Sequence, residues 1–189
     1  RGYYTRSVLV AWDFKDNKLT QRWIFDSDDE TPGNRSYRGQ GAHSITVGDV
    51  DNDGKDEIIY GAAAIDDNGK GMYSTRLGHG DALHLSDLDP ERTGMEVWMV
   101  HESPSNIAGC EFRDAKTGEL IWGFPSEGDV GRGLTANIHP NYPGNECWAF
   151  GPGMRGLYSA KGKLISEKSP RTCNFRVYWD GDLQDELLD

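Results

Sequence analysis

The sequence has 189 residues with 31 acidic against 20 basic side chains, a formal balance of −11, which excludes a basic nucleic-acid-binding surface as the default reading. With 36% hydrophobic and 27% charged residues but 6 Trp, 8 Tyr and 6 Phe, it is too aromatic for a disordered acidic tail. Its longest apolar stretches, around Val97 to Val100 and Gly61 to Ile65, fall far short of the roughly 20 residues a membrane helix needs, so no membrane span is expected.

The length suits one domain, and 24 Gly with 8 Pro imply many short strands and turns; an all-β fold is expected. Cys110, Cys147 and Cys173 have no CxxC spacing, which argues against a zinc ribbon or a disulfide scaffold and allows at most one bridge. In chain order, Val10 to Leu19 reads as strand, Asn-containing turn, strand, and the same hairpin pattern returns at Cys110 to Trp122 and at Gly156 to Ile165. Between the hairpins runs a repeated motif of acidic or polar residues at alternate positions, closed by an acid that opens an apolar run. Its copies are Gly48 to Tyr60, Asp87 to Trp98, Asn137 to Trp148 and a shortened one at Asp180 to Leu188. Several short antiparallel strands per repeat, with no sustained 3.6-residue period, is how a β-propeller blade reads. The expected architecture is a partial β-propeller domain over residues 1–189. It covers about four blade-sized repeats and begins and ends within blades, its last motif followed by the first strand of another unit.

The first motif is a strong calcium loop. Hard cations take six to eight oxygens, alternate carboxylates supply them, and Gly54 permits the sharp turn. It is not an EF-hand, because Tyr60 stands where that loop needs its bidentate Glu and a β-prone run follows. The expected ligands are the side chains of Asp49, Asp51, Asp53 and Glu57 with the Lys55 carbonyl. The second copy offers Asp87, Asp89, Glu91 and Glu96; the third offers Asn137, His139, Asn141 and Glu146, with fewer carboxylates. Bound cations would also neutralise much of the surplus acidity.

A different group stands between these loops. His79 and Asp81 at i and i+2 share a strand face, with His43 and Glu102 in neighbouring segments; two His with two acids suggest zinc or manganese by composition alone, and each His singly reads as structural. The Trp residues recur mostly in repeat strands and are assigned to packing rather than sugar stacking. Tyr73 and Arg76, just before the His79 motif, are placed where a ligand could be faced.

The runs Gly2 to Arg6, Gly39 to Ser44, Asp49 to Gly61, Gly78 to His84, Gly94 to Trp98, Phe112 to Gly118 and Asp129 to Gly133 resemble the rhamnogalacturonan lyases of polysaccharide lyase family 11, in that family's order along nearly the whole chain. The resemblance implies a secreted or periplasmic eight-bladed propeller, monomeric, holding several calcium ions and cleaving rhamnogalacturonan I of pectin by β-elimination. It also implies that His43, His79, Asp81 and Glu102 are calcium ligands near the active-site cleft, against the zinc or manganese reading. Arg132, between Gly131 and Gly133, is then the arginine that meets the substrate's uronate carboxylate; a guanidinium fork matches a carboxylate bidentately. Chemistry allows Lys70, Lys161 and Arg155 as the base, and no motif selects among them. The alternatives are a non-catalytic calcium propeller for adhesion or polysaccharide binding, and an inactive fragment of the lyase.

Overall fold

A computed structural model describes residues 5–189, so the Gly2 to Tyr4 part of the first family motif lies outside the described residues. The described residues fold into sixteen strands, β1 Val8–Lys15, β2 Lys18–Asp26, β3 Thr46–Gly48, β4 Glu57–Ile59, β5 Ala63–Ile65, β6 Gly71–Ser74, β7 Leu83–Ser86, β8 Glu96–Val100, β9 Ser105–Asp114, β10 Leu120–Ser126, β11 Arg132–Ala136, β12 Glu146–Phe150, β13 Leu157–Tyr158, β14 Leu164–Ser166, β15 Phe175–Val177 and β16 Glu186–Leu188. A 3₁₀ turn at Asn34–Tyr37 interrupts the β2–β3 connection. The strands form antiparallel meanders: four-stranded sheets β3 to β6, β7 to β10 and β11 to β14, flanked by the two-stranded sheets β1–β2 and β15–β16.

The three hairpins read from sequence are β1–β2, β9–β10 and β13–β14, and a further one, β5–β6, closes around Asp66 to Lys70. Each acidic motif lies between the first and second strands of a sheet, as Gly48 pairs Glu57, Ser86 pairs Glu96, Ala136 pairs Glu146 and Val177 pairs Glu186. The repeat therefore starts one strand earlier than the sequence suggested, and two strands, β15 and β16, follow the last complete sheet.

The core lies between sheets. Val50, Ile59, Ala64, Val97 and Met99 fill the gap between the β3–β6 and β7–β10 sheets; Trp98, Val100, Cys110, Phe112, Cys147 and Ala149 fill the next. Burial is concentrated in the inner strands: β5 and β8 are buried at every residue and β12 at four of its five, which is why these strands read as short apolar runs rather than alternating ones. The first strands of successive sheets, β3, β7, β11 and β15, lie against one another. Cys110, Cys147 and Cys173 are free and buried, and burial pushes the thiols of Cys110 and Cys173 up to about 12. Among the described residues no helix is long and apolar enough to cross a membrane.

Candidate functional site

A meander sorts its connections by edge, because every second turn falls on the same end of the strands. One edge collects the acidic motifs between first and second strands together with the hairpin turns between third and fourth. The opposite edge collects the second-to-third connections and the segments that lead into the next sheet. His43 leads into β3, His79 and Asp81 lead into β7, Glu102 follows β8, and Arg132 opens β11. All five therefore stand on one edge, and the acidic motifs on the other.

At that edge the ligand atoms of His43, His79, Asp81 and Glu102 lie within 4.8 Å of one another. The two imidazoles meet edge to face, 4.8 Å between centroids. His43 Nε2 is 3.3 Å from Asp81 Oδ1, and His79 Nε2 is 3.6 Å from Glu102 Oε1. His79 Nδ1 lies 2.6 Å from the Gly41 carbonyl, to which it can only donate, so Nε2 presents its lone pair to the group. Parallel bridging of Ala42 with Gly80 and the bond from His43 N–H to the Gly80 carbonyl hold the two loops together. Gly80 is required there, since a Cβ would collide with the Val100 carbonyl. Two carboxylates and two imidazoles converging from three loops are a donor set that fits a divalent cation.

Arg132 adjoins this group: its Nη1 donates to the Gly131 carbonyl at 2.6 Å and lies 3.9 Å from Asp81 Oδ2, while the side chain remains 64% exposed. A cleft of about 460 Å³ runs beside it, lined by Asp81, His84, Arg132, Asn174 and Phe175 among others. On the other side a depression is lined by Arg6, Tyr60, His43 and His79. Arg6 is a site residue that the sequence did not single out as such; its Nε donates to Asp26 at 3.0 Å, and that pairing draws the Asp26 carboxyl down to about 2. Its signal was its place in the first family motif, of which Thr5 and Arg6 are the described residues.

The opposite edge carries the acidic motifs, and they diverge. In the first, ligand atoms of Asp49, Asp51 and Asp53 converge, and a second group joins Asp53 and Glu57 to Asp67 of the β5–β6 turn. Asp49 already accepts the Asp53 and Gly54 N–H groups, each at 3.0 Å, and Lys55 bridges Asp53 and Asp67 through its ammonium. Glu57 is buried; one oxygen accepts the Val50 N–H at 3.0 Å and the other has no hydrogen-bond partner, leaving it available to a cation. Burial raises the Glu57 pKa, as it does for Glu96 and Glu146, which accept the Leu88 and Ile138 N–H groups in the same way.

The second and third motifs bring together no metal-type group among the described residues. In the second, Arg92 lies 3.5 Å from Glu96 and 3.6 Å from Asp114, Glu91 pairs with Lys161, Asp87 is exposed and Asp89 caps the Glu91 N–H. Protein cations thus stand beside the carboxylates. In the third, His139 accepts the Asn141 N–H and packs on Tyr142, and Asn137 bonds to the fourth motif through Asp185 and Leu183.

The fourth motif is not shortened. Asp182 and Gln184 donate to Asp180 and Asp182 as Asp53 and Lys55 donate to Asp51 and Asp53, so Asp180 stands where Asp51 does and Glu186 where Glu57 does. Asp180, Asp182 and Glu186 form a fourth metal-type group that aligning the Asp-Glu pairs, 56–57 and 185–186, would have found.

The three basic residues considered as the base are divided between the edges. Lys70 and Lys161 sit at the hairpin turns of the acidic edge, Lys161 paired with Glu91; only Arg155, between β12 and β13, is on the site edge. Tyr73 is packed under the Arg113 guanidinium, 5.9 Å away, and burial raises its pKa, so it faces the interior rather than a ligand; Arg76 is exposed with φ 62.

Comparison with known proteins places this geometry in a family context. The sequence model of rhamnogalacturonan lyase family 11, C-terminal domain, matches residues 1–189. Among curated proteins the chain is 55% identical over 194 residues to the rhamnogalacturonan exolyase YesX of Bacillus subtilis (strain 168), aligning 100% of itself and 31% of that protein. It is 53% identical over 189 residues to the rhamnogalacturonan endolyase YesW of the same strain, aligning 100% of itself and 30% of the relative. Among solved structures it superposes on the Bacillus licheniformis rhamnogalacturonan lyase PL11 with a TM-score of 0.92 at 58% identity, covering 100% of this chain and 31% of that one.

Proposed function

The chain belongs to rhamnogalacturonan lyase family 11, matching the family's C-terminal domain along its full length, and from that premise we propose that it supplies the uronate-binding and metal-binding side of a lyase that cleaves rhamnogalacturonan I by β-elimination. In this reading its sheets are the blades of a calcium-binding propeller acting outside the cytoplasm. The observation that carries it is the meeting, on one edge beside an open cleft, of Arg132 with the group His43, His79, Asp81 and Glu102.

The chemistry asks for charge management. Removing the proton from the carbon beside the uronate carboxylate leaves an enolate-like dianion; its electron pair forms the new double bond as the neighbouring glycosidic C–O bond breaks and the leaving oxygen takes a proton. Arg132, exposed and next to glycines that let a sugar approach the backbone, presents two parallel N–H groups to that carboxylate and opposes the charge that develops on it. The His43, His79, Asp81 and Glu102 side chains would hold calcium, whose chemistry is to withdraw charge from the bound carboxylate. With a balance of −11, a polyuronate is repelled at long range, so the arginines Arg132 and Arg6 flanking the group give the cleft its local attraction.

The test is made on the intact parent protein. Rhamnogalacturonan digestion should yield oligosaccharides with unsaturated uronosyl ends, detected by their ultraviolet absorbance; chelator should abolish the signal and calcium restore it. Arg132→Ala should lower kcat/KM by about a hundredfold or more, roughly 3 kcal/mol. Saturated products only, or binding without new double bonds, would remove the lyase reading in favour of hydrolysis or of a non-catalytic propeller.

A further inference from the structure

Beneath the site edge lies a buried ionic group that the reaction does not touch. Glu111 and Arg113, two apart on β9 and so on one face of it, are both 0% exposed, and Arg113 donates to Glu111. Burial opposes the charge on Glu111, but Arg113 and His101 outweigh it and hold the carboxyl below its ordinary range. His101, also 0% exposed, reaches the Gly78 carbonyl through Nδ1 at 3.0 Å and Glu111 through Nε2 at 3.2 Å. The second arm of the Arg113 guanidinium donates to the Gly61 carbonyl.

Those backbone partners are all on the site edge. Gly61 lies between β4 and β5, Gly78 between β6 and β7, and His101 itself between β8 and β9. From them the remaining connections hang by backbone bonds: Ala62 N–H to the Gln40 carbonyl at 2.7 Å, Glu102 N–H to the His79 carbonyl at 3.1 Å, and Val130 N–H to the His101 carbonyl at 3.0 Å. Gln40 precedes Gly41, which orients His79, and Val130 leads to Arg132. Every loop bearing a residue of the site is thus one or two bonds from three side chains of a neighbouring strand and turn.

We propose that His101, Glu111 and Arg113 are positioning residues that fix the register of the site-edge connections, so that His79, Asp81, Glu102 and Arg132 converge. A buried ion group is a costly way to fill a core, and hydrocarbon of the same volume commonly does it at least as well. What hydrocarbon cannot do is hold carbonyl groups of separate irregular loops at fixed positions. The site so served is the one assigned above to the lyase reaction, and to that extent the proposal rests on that reading; the register itself is read without turnover.

The experiment compares the intact parent protein with its Glu111→Gln and Arg113→Lys variants by hydrogen–deuterium exchange across a calcium titration, with rhamnogalacturonan cleavage measured alongside. Glu111→Gln keeps the shape but not the charge; Arg113→Lys keeps the charge but cannot reach Glu111 and Gly61 together. Both variants should exchange the site-edge amides of His43, Glu102 and Val130 at least about tenfold faster, leave the acidic-edge amides of Asp53 and Gly54 unchanged, and need at least about fivefold more calcium to protect the site-edge peptides. kcat/KM should fall about tenfold or more. Unchanged site-edge exchange and calcium requirement would overturn the proposal, as would equal deprotection of both edges in both variants, since the ions would then serve the core at large. If the unaltered protein forms no unsaturated product, the lyase reading fails while the exchange comparison still decides the register.

Discussion

Asp81 stands between two side chains, His43 at 3.3 Å and Arg132 at 3.9 Å, and how it is shared decides what Arg132 can offer a substrate. Apart from the Nη1 bond to the Gly131 carbonyl, this guanidinium lies mostly in solvent, with its Nε and Nη2 edge open to a bidentate carboxylate. Charge alone is therefore not enough at this position. Arg132→Lys, which retains the cation but offers a single point of contact, should raise KM about tenfold, roughly 1.4 kcal/mol, with a smaller effect on kcat, measured from initial rates of unsaturated product. His84, across the cleft, makes a different statement. Burial holds its pKa below the ordinary 6.5, outweighing its contact with the Gly133 carbonyl at 3.1 Å. The unfolded chain then binds the proton more tightly than the folded one, so the stability His84 contributes is full above about 6.5 and is lost as the pH falls below it. Denaturant unfolding in excess calcium at about pH 7.5 and about pH 5.5 should show a smaller acid loss in His84→Gln than in the parent sequence. Equal losses would mean the imidazole titrates alike in both states.

Between sheets, one contact recurs. Trp23, Tyr73 and Trp122 on fourth or second strands each lie against the turn glycine of the next sheet's hairpin, Gly69, Gly118 and Gly162, and the two indoles also donate to carbonyls there, Asp67 at 2.7 Å and Ala160 at 2.6 Å. Gly162 carries φ +73 with Trp122 Cδ2 only 2.9 Å from where a Cβ would stand, whereas Gly153 has φ +83 and open space. Gly153→Ala should cost about 1 kcal/mol for backbone strain alone, and Gly162→Ala about twice that because the clasp must also open, read as a difference in unfolding free energy. The acidic motifs differ just as concretely. Asp180→Ala should lose about one calcium per chain in elemental analysis, and Asp87→Ala none, because Arg92 already stands beside Glu96 in that motif. The alternation of acids over one turn is a local pattern, so the first loop was legible in the sequence. What was not legible depends on the meander: that Lys70 and Lys161 fall on the far edge, that Arg92 points at Glu96, and that Glu111 and Arg113, reading as ordinary polar positions of a hairpin, turn inward together. The group His43, His79, Asp81 and Glu102 was legible by residue type and by the spacing of His79 and Asp81, its calcium reading came from family resemblance, and its convergence depends on strand order, which alone unites residues 43 and 102.

At the scale of the molecule, five sheets enclose their cores between one another and leave the two outermost faces bare. On β1 and β2 the side chains of Val8, Val10, Trp12, Phe14, Leu19 and Ile24 all point away from the core, with Phe14 71% and Trp12 55% exposed and the pairs Phe14–Leu19 and Val10–Ile24 directly opposed. At the other end Phe175 and Leu188 are opposed and exposed. An apolar sheet face of this extent is characteristic of a buried interface. The chain spans 30% and 31% of the length of the two curated relatives it matches, so in proteins of their length there is ample polypeptide to cover both faces. Without such cover, the faces must find each other or water. Residues 1–189 produced alone should therefore self-associate in sedimentation velocity, and Trp12→Ser with Phe14→Ser should weaken that association about tenfold or more, because the apolar area that drives it is removed without touching Leu9 and Phe25 beneath. A monodisperse monomer with the native residues in place would show that the face needs no partner.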